Sequence, residues 1–235
     1  MVSIIIPTLN EEHYLPRLLD SIEKQDFKDY EIIVSDAGSQ DRTREIAASR
    51  GVKLAADSKI KHPSAQRNAG AAVAKGDILL FLDADSEIGQ GFLVDLVSQF
   101  GKKQLTGAGC YIRFNPNNIR YSIYAIISNV ICGLKQYGRH PAAVGAGLAA
   151  LRSAHEKIGG FDLNIKLAED YDYCERLAGV GRFRMLESVR LLYSSRRMEK
   201  EGFWKTGWTW LRMGLYTLTN RKIKKDIIKY DFGKF

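Results

Sequence analysis

The chain has 235 residues, enough for one large domain whose core needs neither disulfides nor a structural metal. Its composition, 45% hydrophobic and 26% charged, is that of an ordinary soluble globular protein. The net charge of +8 suits anionic partners such as nucleotide phosphates, acidic lipid headgroups or nucleic acid, and a solvated basic tail explains it equally well.

Three further observations bear on the compartment. The longest uncharged run, residues 121–134, is well short of the roughly 20 residues that cross a bilayer. The opening MVSIIIPTLNEE has no basic region and only a short apolar run before its proline, so it does not fit a signal sequence. The cysteines, Cys110, Cys132 and Cys174, are odd in number and scattered, which is typical of reduced thiols. We therefore expect a cytoplasmic protein without a membrane-spanning segment.

The first hundred residues alternate between apolar strands and helix-like stretches. Strands are predicted at 2–6, 30–36, 51–56 and 76–85, and helices at 13–25, 41–50, 63–74 and 90–100. Beyond about residue 105 the pattern loosens, with strands predicted at 106–114 and 147–153 and a helix at 168–181. Uniformly apolar strands that alternate with helices indicate an α/β fold, with a parallel sheet covered by helices on both faces. No linker divides the chain into independent domains.

Polar clusters follow three of the predicted strands. PTLNEE follows the first strand, SDAGSQD the second and DADSE the fourth. Ligands of an open parallel sheet bind outside the carboxyl ends of its strands, so these clusters are expected to converge on one site. Asp36 in the second cluster can accept hydrogen bonds from a base or a ribose, and Gly38 allows close approach of the backbone. A plain turn or helix cap is the alternative for Asp36.

Asp83 and Asp85 end a buried strand one residue apart. Two carboxylates so close repel each other unless a cation neutralises them, and Mg²⁺ or Mn²⁺ suits oxygen ligands shared with phosphates. Exposed turn acids are the alternative. The four histidines are dispersed, which argues against zinc. Arg67, on the helix before this strand, is a candidate phosphate ligand or simply a surface arginine.

In this order and spacing, the motifs SIIIPTLNEE, IIVSDAGSQDRT, RNAG, GDILLFLDADSEI, AEDYDYCERL and SSRRMEKEG resemble family 2 glycosyltransferases. The resemblance covers about residues 2–202 and implies a GT-A (Rossmann-like) fold with a mostly parallel central sheet and helices on both faces. It implies a non-processive, inverting enzyme that uses a sugar nucleotide. Residues 1–202 would form the GT-A domain, with 1–105 as the nucleotide-binding half and 106–202 as the acceptor-binding half.

The resemblance also implies roles for individual residues. Asp36 would read the base of the nucleotide, Asp83 would lie near the ribose and the metal, and Asp85 would ligate the metal. The pocket around the base would be lined by Pro7, Thr8, Leu9, Asn10 and Glu11. Mg²⁺ or Mn²⁺ would be the cofactor, and a UDP- or GDP-sugar the donor.

Further implied roles concern the reaction itself. Asp170, with Glu169 beside it, would be the base that deprotonates the acceptor hydroxyl, and Arg196 and Arg197 would close over the leaving diphosphate. An ordinary acidic helix surface is the alternative for AEDYDYCERL. The acceptor would be a saccharide or a polyprenyl-linked molecule, and no nucleic acid is expected to bind. With an already ionised lipid-phosphate acceptor, Asp170 would not be needed as a base.

The C-terminal segment, residues 203–235, is predicted to form a basic amphipathic helix. Its apolar positions recur at helical spacing and are Trp204, Trp208, Leu211, Leu215 and Leu218. This stripe fits peripheral contact with the inner face of the cell membrane or packing over the sheet, and residues 121–134 carry the same two interpretations. Two alternative functions stay open: a sugar-nucleotide nucleotidyltransferase, which also pairs acids with a metal on such a sheet, and a non-catalytic membrane-surface module that uses the basic tail. A dinucleotide oxidoreductase is disfavoured because no G-x-G-x-x-G follows the first strand.

Overall fold

The structure is a computed structural model that describes residues 1–55, 60–115 and 118–209, with the side chains of 197 and 201 outside this description. Its strands are β1 (Val2–Thr8), β2 (Tyr30–Asp36), β3 (Lys53–Leu54), β4 (Ile78–Leu82), β5 (Ser86–Ile88), β6 (Leu105–Asn115), β7 (Gly147–Leu151) and β8 (Arg182–Ser194). Its helices are α1 (Leu15–Glu23), α2 (Thr43–Ser49), α3 (Pro63–Ala72), α4 (Phe92–Lys103), α5 (Ile119–Lys135), α6 (Arg152–Lys157), α7 (Glu169–Val180) and α8 (Arg196–Glu201). Residues 203–209 are also helical.

All eight strands belong to one sheet in the order β3-β2-β1-β4-β7-β6-β8-β5. Strands β1 to β4 pair in parallel, and β6 pairs in parallel with β8. The sheet is nevertheless mixed, because β7 runs antiparallel to both β4 and β6, and β5 antiparallel to β8. Leu82 at the end of β4 pairs with Gly147 at the start of β7, so the chain enters β7 from the carboxyl edge of the parallel strands.

Two apolar layers cover the sheet, one on each face. Along β1, Ile4 and Ile6 join the layer that contains α1 and α4, whereas Ile5 joins the layer that contains α7. In β4, Leu80 and Phe81 divide in the same way. Side chains of a strand alternate between faces, so a strand covered on both faces must be apolar throughout. This explains the uniformly apolar strands of the first half and confirms the predicted α/β architecture.

The predicted elements of the first hundred residues all occur, with boundaries shifted by a few residues. The sequence prediction missed β5, α5, α6, β8 and α8. Strand β5 has only three residues, too few for a period to be recognised. The 13-residue β8 carries a register irregularity against β6, which interrupts its alternation of buried and exposed positions.

The remaining observations concern the cysteines and the uncharged run. All three cysteines are buried and unpaired, as expected. Residues 121–134 fall within α5, which lies against β6. Over residues 1–55, 60–115 and 118–209, no helix has both the length and the hydropathy needed to cross a membrane. The predicted tail 203–235 is described only to residue 209, so its stretch 210–235 lies outside the described residues.

Candidate active site at the carboxyl edge of the sheet

The loops that follow β1 and β2 are tied together by side-chain hydrogen bonds. Thr8 lies opposite Asp36 in the parallel register, and its hydroxyl donates to Asp36 Oδ2 over 2.9 Å. The amide of Asn10 donates to Ser39 Oγ over 2.8 Å, and the amide of Glu11 donates to Thr43 Oγ1 over 2.7 Å. Asn10 adopts a left-handed backbone conformation, with φ of 59°. These bonds fix the two loops relative to each other.

The carboxylate of Asp36 holds the loop that follows β2. Its side chain is buried, and Oδ1 accepts hydrogen bonds from the amides of Gly38 and Ser39 at 3.0 and 2.8 Å. Gly38 adopts a φ of +87°, which few residues other than glycine tolerate. Pro7, Thr8 and Leu9 are buried beside this loop. Asp36 therefore lies at the predicted place and supports the loop through both carboxylate oxygens.

Arg67 joins three parts of the chain at the end of β4. Its Nη2 donates to Asp83 Oδ1 over 3.0 Å and to the carbonyl of Gly145 over 3.2 Å, while Nη1 donates to Glu169 Oε1 over 3.1 Å. Its guanidinium also lies 5.3 Å from the ring centroid of Phe161. The side chain is only 3% exposed, which excludes the alternative of a surface arginine. Burial opposes its charge, but the surrounding carboxylates outweigh that effect and raise its pKa.

Asp170 lies in the first turn of α7, next to this network. Its Oδ2 accepts a hydrogen bond from the amide of Gly145 over 2.9 Å, and its Oδ1 accepts one from its neighbour Tyr171 over 3.0 Å. Burial and the adjacent charge of Glu169 raise the pKa of Asp170, and the positive charge of Arg67 partly offsets them. A carboxylate with a raised pKa is a stronger base, so the position suits proton abstraction.

Asp83 and Asp85 lie in the turn between β4 and β5. The amide of Asp83 donates to the carbonyl of Ala146 over 3.1 Å, which fixes the start of the turn. The amide of Ser194 donates to the carbonyl of Asp85 over 3.1 Å, which brings the end of β8 to the same turn. Because Arg196 follows only two residues later, its Nε reaches Asp85 Oδ2 at 2.8 Å. The two acids therefore face different arginines, Arg67 and Arg196.

Arg196 forms a second, bidentate ion pair with Glu11. Both terminal nitrogens donate to the Glu11 carboxylate over 2.7 Å, and the guanidinium lies 4.5 Å from the ring centroid of Tyr14. Burial raises the pKa of Glu11 and is only partly countered by Arg196. Burial likewise raises the pKa of Asp85 to about 7, while Arg196 lowers it and nearby Asp83 adds to the increase. Arg196 thus stabilises the ionised forms of Glu11 and Asp85, which the low-dielectric surroundings disfavour.

The carboxylates at this turn suit a hard cation but supply only some of its ligands. Asp83 and Asp85 offer carboxylate oxygens, the ligands that Mg²⁺ and Mn²⁺ prefer. Within the described ranges, no group of three or more histidine, cysteine, aspartate or glutamate side chains could hold a metal by itself. Magnesium is commonly bound through one or two carboxylates together with substrate phosphates and water. These residues therefore fit a divalent ion that is bound jointly with a diphosphate.

The structure brings most of the sequence-predicted site residues to one edge of the sheet. Arg67, Asp83 and Asp170 share the first network, and Glu11, Asp85 and Arg196 form the second. In this structure Arg196 pairs with acids, which the sequence analysis did not predict. The pairing joins residues 185 positions apart, and no local pattern signals it. The side chain of Arg197 lies outside the described part of the chain.

Comparison with known proteins identifies related sequences. The model of glycosyl transferase family 2 matches residues 3–159. A GalNAc(5)-diNAcBac-PP-undecaprenol beta-1,3-glucosyltransferase from Campylobacter jejuni is 36% identical over 107 residues, which cover 42% of this chain and 34% of that protein. An uncharacterized glycosyltransferase from Haemophilus influenzae is 27% identical over 193 residues, covering 75% of this chain and 62% of that protein. The chain thus matches about a third of the Campylobacter enzyme and less than two thirds of the Haemophilus protein.

Solved structures share the fold. The mannosyltransferase PcManGT from Pyrobaculum calidifontis, in complex with GDP-Man and Mn²⁺, superposes with a TM-score of 0.66 at 24% identity, covering 81% of this chain and 56% of that one. Staphylococcus aureus TarS 1-349, in complex with UDP-GlcNAc, superposes with a TM-score of 0.64 at 22% identity, covering 82% of this chain and 58% of that one. These similarities confirm the predicted GT-A fold.

Proposed function

The chain belongs to glycosyl transferase family 2, and we propose that it transfers a sugar from a nucleoside-diphosphate sugar to a hydroxyl or lipid-phosphate acceptor, with inversion at the anomeric carbon. The observation that carries this proposal is the network around Arg67. It joins Asp83 at the end of a parallel strand to Glu169 on α7, and Asp170 lies beside it. This network connects residues 1–105, which would bind the nucleotide, to residues 106–202, which would bind the acceptor.

The donor would bind at the ends of β1, β2 and β4. The loop held by Asp36 and the buried residues Pro7 to Leu9 would accept the base and ribose, and Gly38 would allow close approach. Asp83 and Asp85 would hold Mg²⁺ or Mn²⁺ together with the diphosphate. When bound, the cation supplies positive charge that stabilises the departing diphosphate more in the transition state than in the ground state.

Arginine charge would support the same leaving group. Arg196 already lies against Asp85, at hydrogen-bonding distance from the turn that would hold the diphosphate. Its planar guanidinium binds phosphate oxygens as readily as carboxylates. Arg196 would therefore exchange part of its ion pairing for contact with the donor, and Arg197 on the same helix would add a second positive charge.

Asp170 would act as the base for a hydroxyl acceptor. The amide of Gly145 holds one of its oxygens, and the raised pKa favours proton uptake near neutral pH. A single base and no enzyme nucleophile gives inversion at the anomeric carbon. The Campylobacter relative is named for an undecaprenol-linked glycan, so a polyprenyl-linked saccharide is a natural acceptor class to test.

The experiment that tests this proposal has two parts. Thermal shift with UDP-, GDP- and dTDP-sugars, with and without Mn²⁺, should show metal-dependent stabilisation by one nucleotide series, since ligand at about 100 times its dissociation constant adds roughly 2.7 kcal/mol. Hydrolysis of that donor should then release free sugar and nucleoside diphosphate. Release of pyrophosphate from a nucleoside triphosphate and a sugar phosphate would indicate a nucleotidyltransferase instead. If no donor binds and none is turned over, the proposal is wrong.

A further inference from the structure

Helix α5 exposes an unusually apolar face. Seven large aliphatic side chains on it are more than half exposed, including Ile126 at 61% and Leu134 at 70%. The complete set is Ile119, Ile123, Ile126, Ile127, Val130, Ile131 and Leu134. They recur at intervals of three and four residues, so they form one stripe along a helix about 25 Å long. Contiguous apolar surface of this extent on a soluble domain marks an interaction site.

The opposite face of α5 packs on the sheet. Ala125 and Cys132 are buried, and the side-chain amide of Asn129 exchanges two hydrogen bonds with the backbone of Ile112 in β6, at 2.8 and 2.9 Å. These contacts fix the rotation of the helix about its axis. The exposed stripe is therefore a consequence of how α5 is anchored.

Two exposed tryptophans lie in the helical segment 203–209, which contacts α5 through Phe203. The ring of Phe203 is 6.2 Å from that of Tyr121 on α5 and 5.4 Å from that of Trp204. Trp204 is 82% exposed and Trp208 is 63% exposed. Residues 203–209 thus add exposed aromatic side chains to the part of the molecule that contains α5, and such side chains favour the boundary between hydrocarbon and water.

The charged residues of α5 itself are all basic, whereas α8, just before the tryptophans, carries both signs. From residue 96 to residue 155 the sequence contains no aspartate or glutamate and seven basic residues. Arg120 lies at the start of α5, Lys135 at its end and Arg139 one turn beyond, while Lys205 lies between the tryptophans. A second copy of the chain docking through this face would bring these cations against identical ones. An anionic surface complements them.

We propose that α5 and residues 203–209 bind the surface of an anionic membrane, with the apolar stripe and the tryptophans inserted between headgroups. The inference does not depend on the proposed reaction. It has a consequence for that reaction, because the end of α5 lies beside the start of α7: Lys135 Nζ is 5.4 Å from the ring centroid of Tyr171, the neighbour of Asp170. An acceptor anchored in the bilayer would therefore lie near the candidate base.

Binding of the full-length chain to vesicles tests the proposal. All three tryptophans lie at positions 204, 208 and 210, so intrinsic fluorescence reports on this segment. Vesicles with 30% phosphatidylglycerol in phosphatidylcholine should shift the emission to shorter wavelength and co-sediment the protein. Pure phosphatidylcholine and about 0.5 M salt should each weaken binding, because the basic residues then have no unscreened anionic partner. No shift and no sedimentation with any vesicle would overturn the proposal.

Matched variants locate the contact. The double substitution Ile127→Gln and Val130→Gln should lower the partition coefficient about 10-fold or more, whereas Val94→Gln, at an equally exposed site on α4, should leave it unchanged. Circular dichroism and thermal unfolding establish that each variant is folded. If the double variant instead converts a dimer to a monomer in light scattering, the face is a self-interface. If the double variant lowers the melting temperature without changing vesicle binding, the occupant of this face of α5 is the segment 210–235. Either outcome would refute membrane docking.

Discussion

The guanidinium of Arg196 makes two hydrogen bonds of 2.7 Å to the carboxylate of Glu11 and a third of 2.8 Å, through Nε, to Asp85. This pairing connects the loop after β1, the turn after β4 and the start of α8. All three side chains are at most 13% exposed. Because a buried acid that loses its cation is strongly disfavoured, the stability of this edge of the sheet depends on one residue.

The substitution Arg196→Met should therefore destabilise the protein by about 3 kcal/mol or more at pH 8, measured by urea unfolding. The loss should be smaller near pH 5.5, because Glu11 and Asp85 take up protons once their cation is gone and then become neutral. Arg42→Met is the matched control, since Arg42 pairs with Glu45 at an exposed site where ion pairs contribute at most about 1 kcal/mol. Equal losses in the two variants would show that the Arg196 pairing is not stabilising.

The sequence predicted the parallel half of the sheet well, for a physical reason. Strands covered on both faces must be apolar throughout, so β1, β2 and β4 stand out as runs, and their carboxyl ends must converge. The placement of Asp36 and Asp83 at one edge of the sheet followed from that topology. The remaining partners of the two arginines could not be predicted, because Arg67 also binds Glu169 of α7 and Arg196 of α8 binds Glu11, and these pairs are separated by 102 and 185 residues in sequence.

Strands β5 and β8 illustrate a second limit. Ser86–Ile88 becomes a strand because it pairs with Leu191, Leu192 and Tyr193 of β8, and its own sequence is too short to signal this. The orientation of α5 was equally beyond prediction, because the uncharged run 121–134 fits a buried or an exposed helix. The bonds of Asn129 to the edge of β6 decide which face turns outward.

Gly145 is a position where the space for a side chain is limited by the candidate site. A Cβ atom there would lie 3.2 Å from Asp170 Oδ2 and 3.4 Å from Arg67 Nη2. Gly145→Val should therefore displace Asp170 and lower kcat at least about 10-fold, and Gly145→Ala should have a smaller effect. Gly101→Ala on α4, where nothing lies within 4 Å, should leave kcat unchanged and is the control. Full activity in Gly145→Val would mean that Asp170 need not hold its observed position.

The substitution Asp170→Asn tests the base directly and distinguishes the two acceptor classes. With a hydroxyl acceptor, kcat should fall about 100-fold or more while donor binding in thermal shift is retained, since general-base catalysis contributes roughly 10²–10⁴-fold. With an ionised phosphate acceptor the loss should be slight, because no proton has to be removed. The control for charge loss on α7 is Asp172→Asn, because Asp172 lies in the same first turn and pairs with Arg176. If it lowers kcat as much as Asp170→Asn does, Asp170 has no specific role.

His155 should make stability depend on pH between about 4 and 6.5. The centroid of its ring lies 5.7 Å from that of Phe81, and its Nδ1 lies 2.7 Å from the hydroxyl oxygen of Tyr173. Burial lowers its pKa from 6.5 to about 4, and the positive charge of Arg176 adds to the decrease. The unfolded chain therefore binds a proton that the native protein does not. Stability should be complete above pH 6.5 and fall as the pH drops toward 4, by about 3 kcal/mol in total.

The variant His155→Gln isolates this contribution. Glutamine can keep a hydrogen bond to Tyr173 but does not titrate, so the variant should lose less stability than the wild type between pH 7 and pH 4.5. The measurement is urea unfolding at several pH values, with the free energy of unfolding compared as a difference between the two proteins so that the carboxylates common to both cancel. His13→Gln, at an exposed site with the side chain 84% accessible, serves as the control and should follow the wild-type curve. Parallel curves for wild type and His155→Gln would mean that His155 becomes protonated in the folded protein as readily as in the unfolded chain, which its apolar surroundings should prevent.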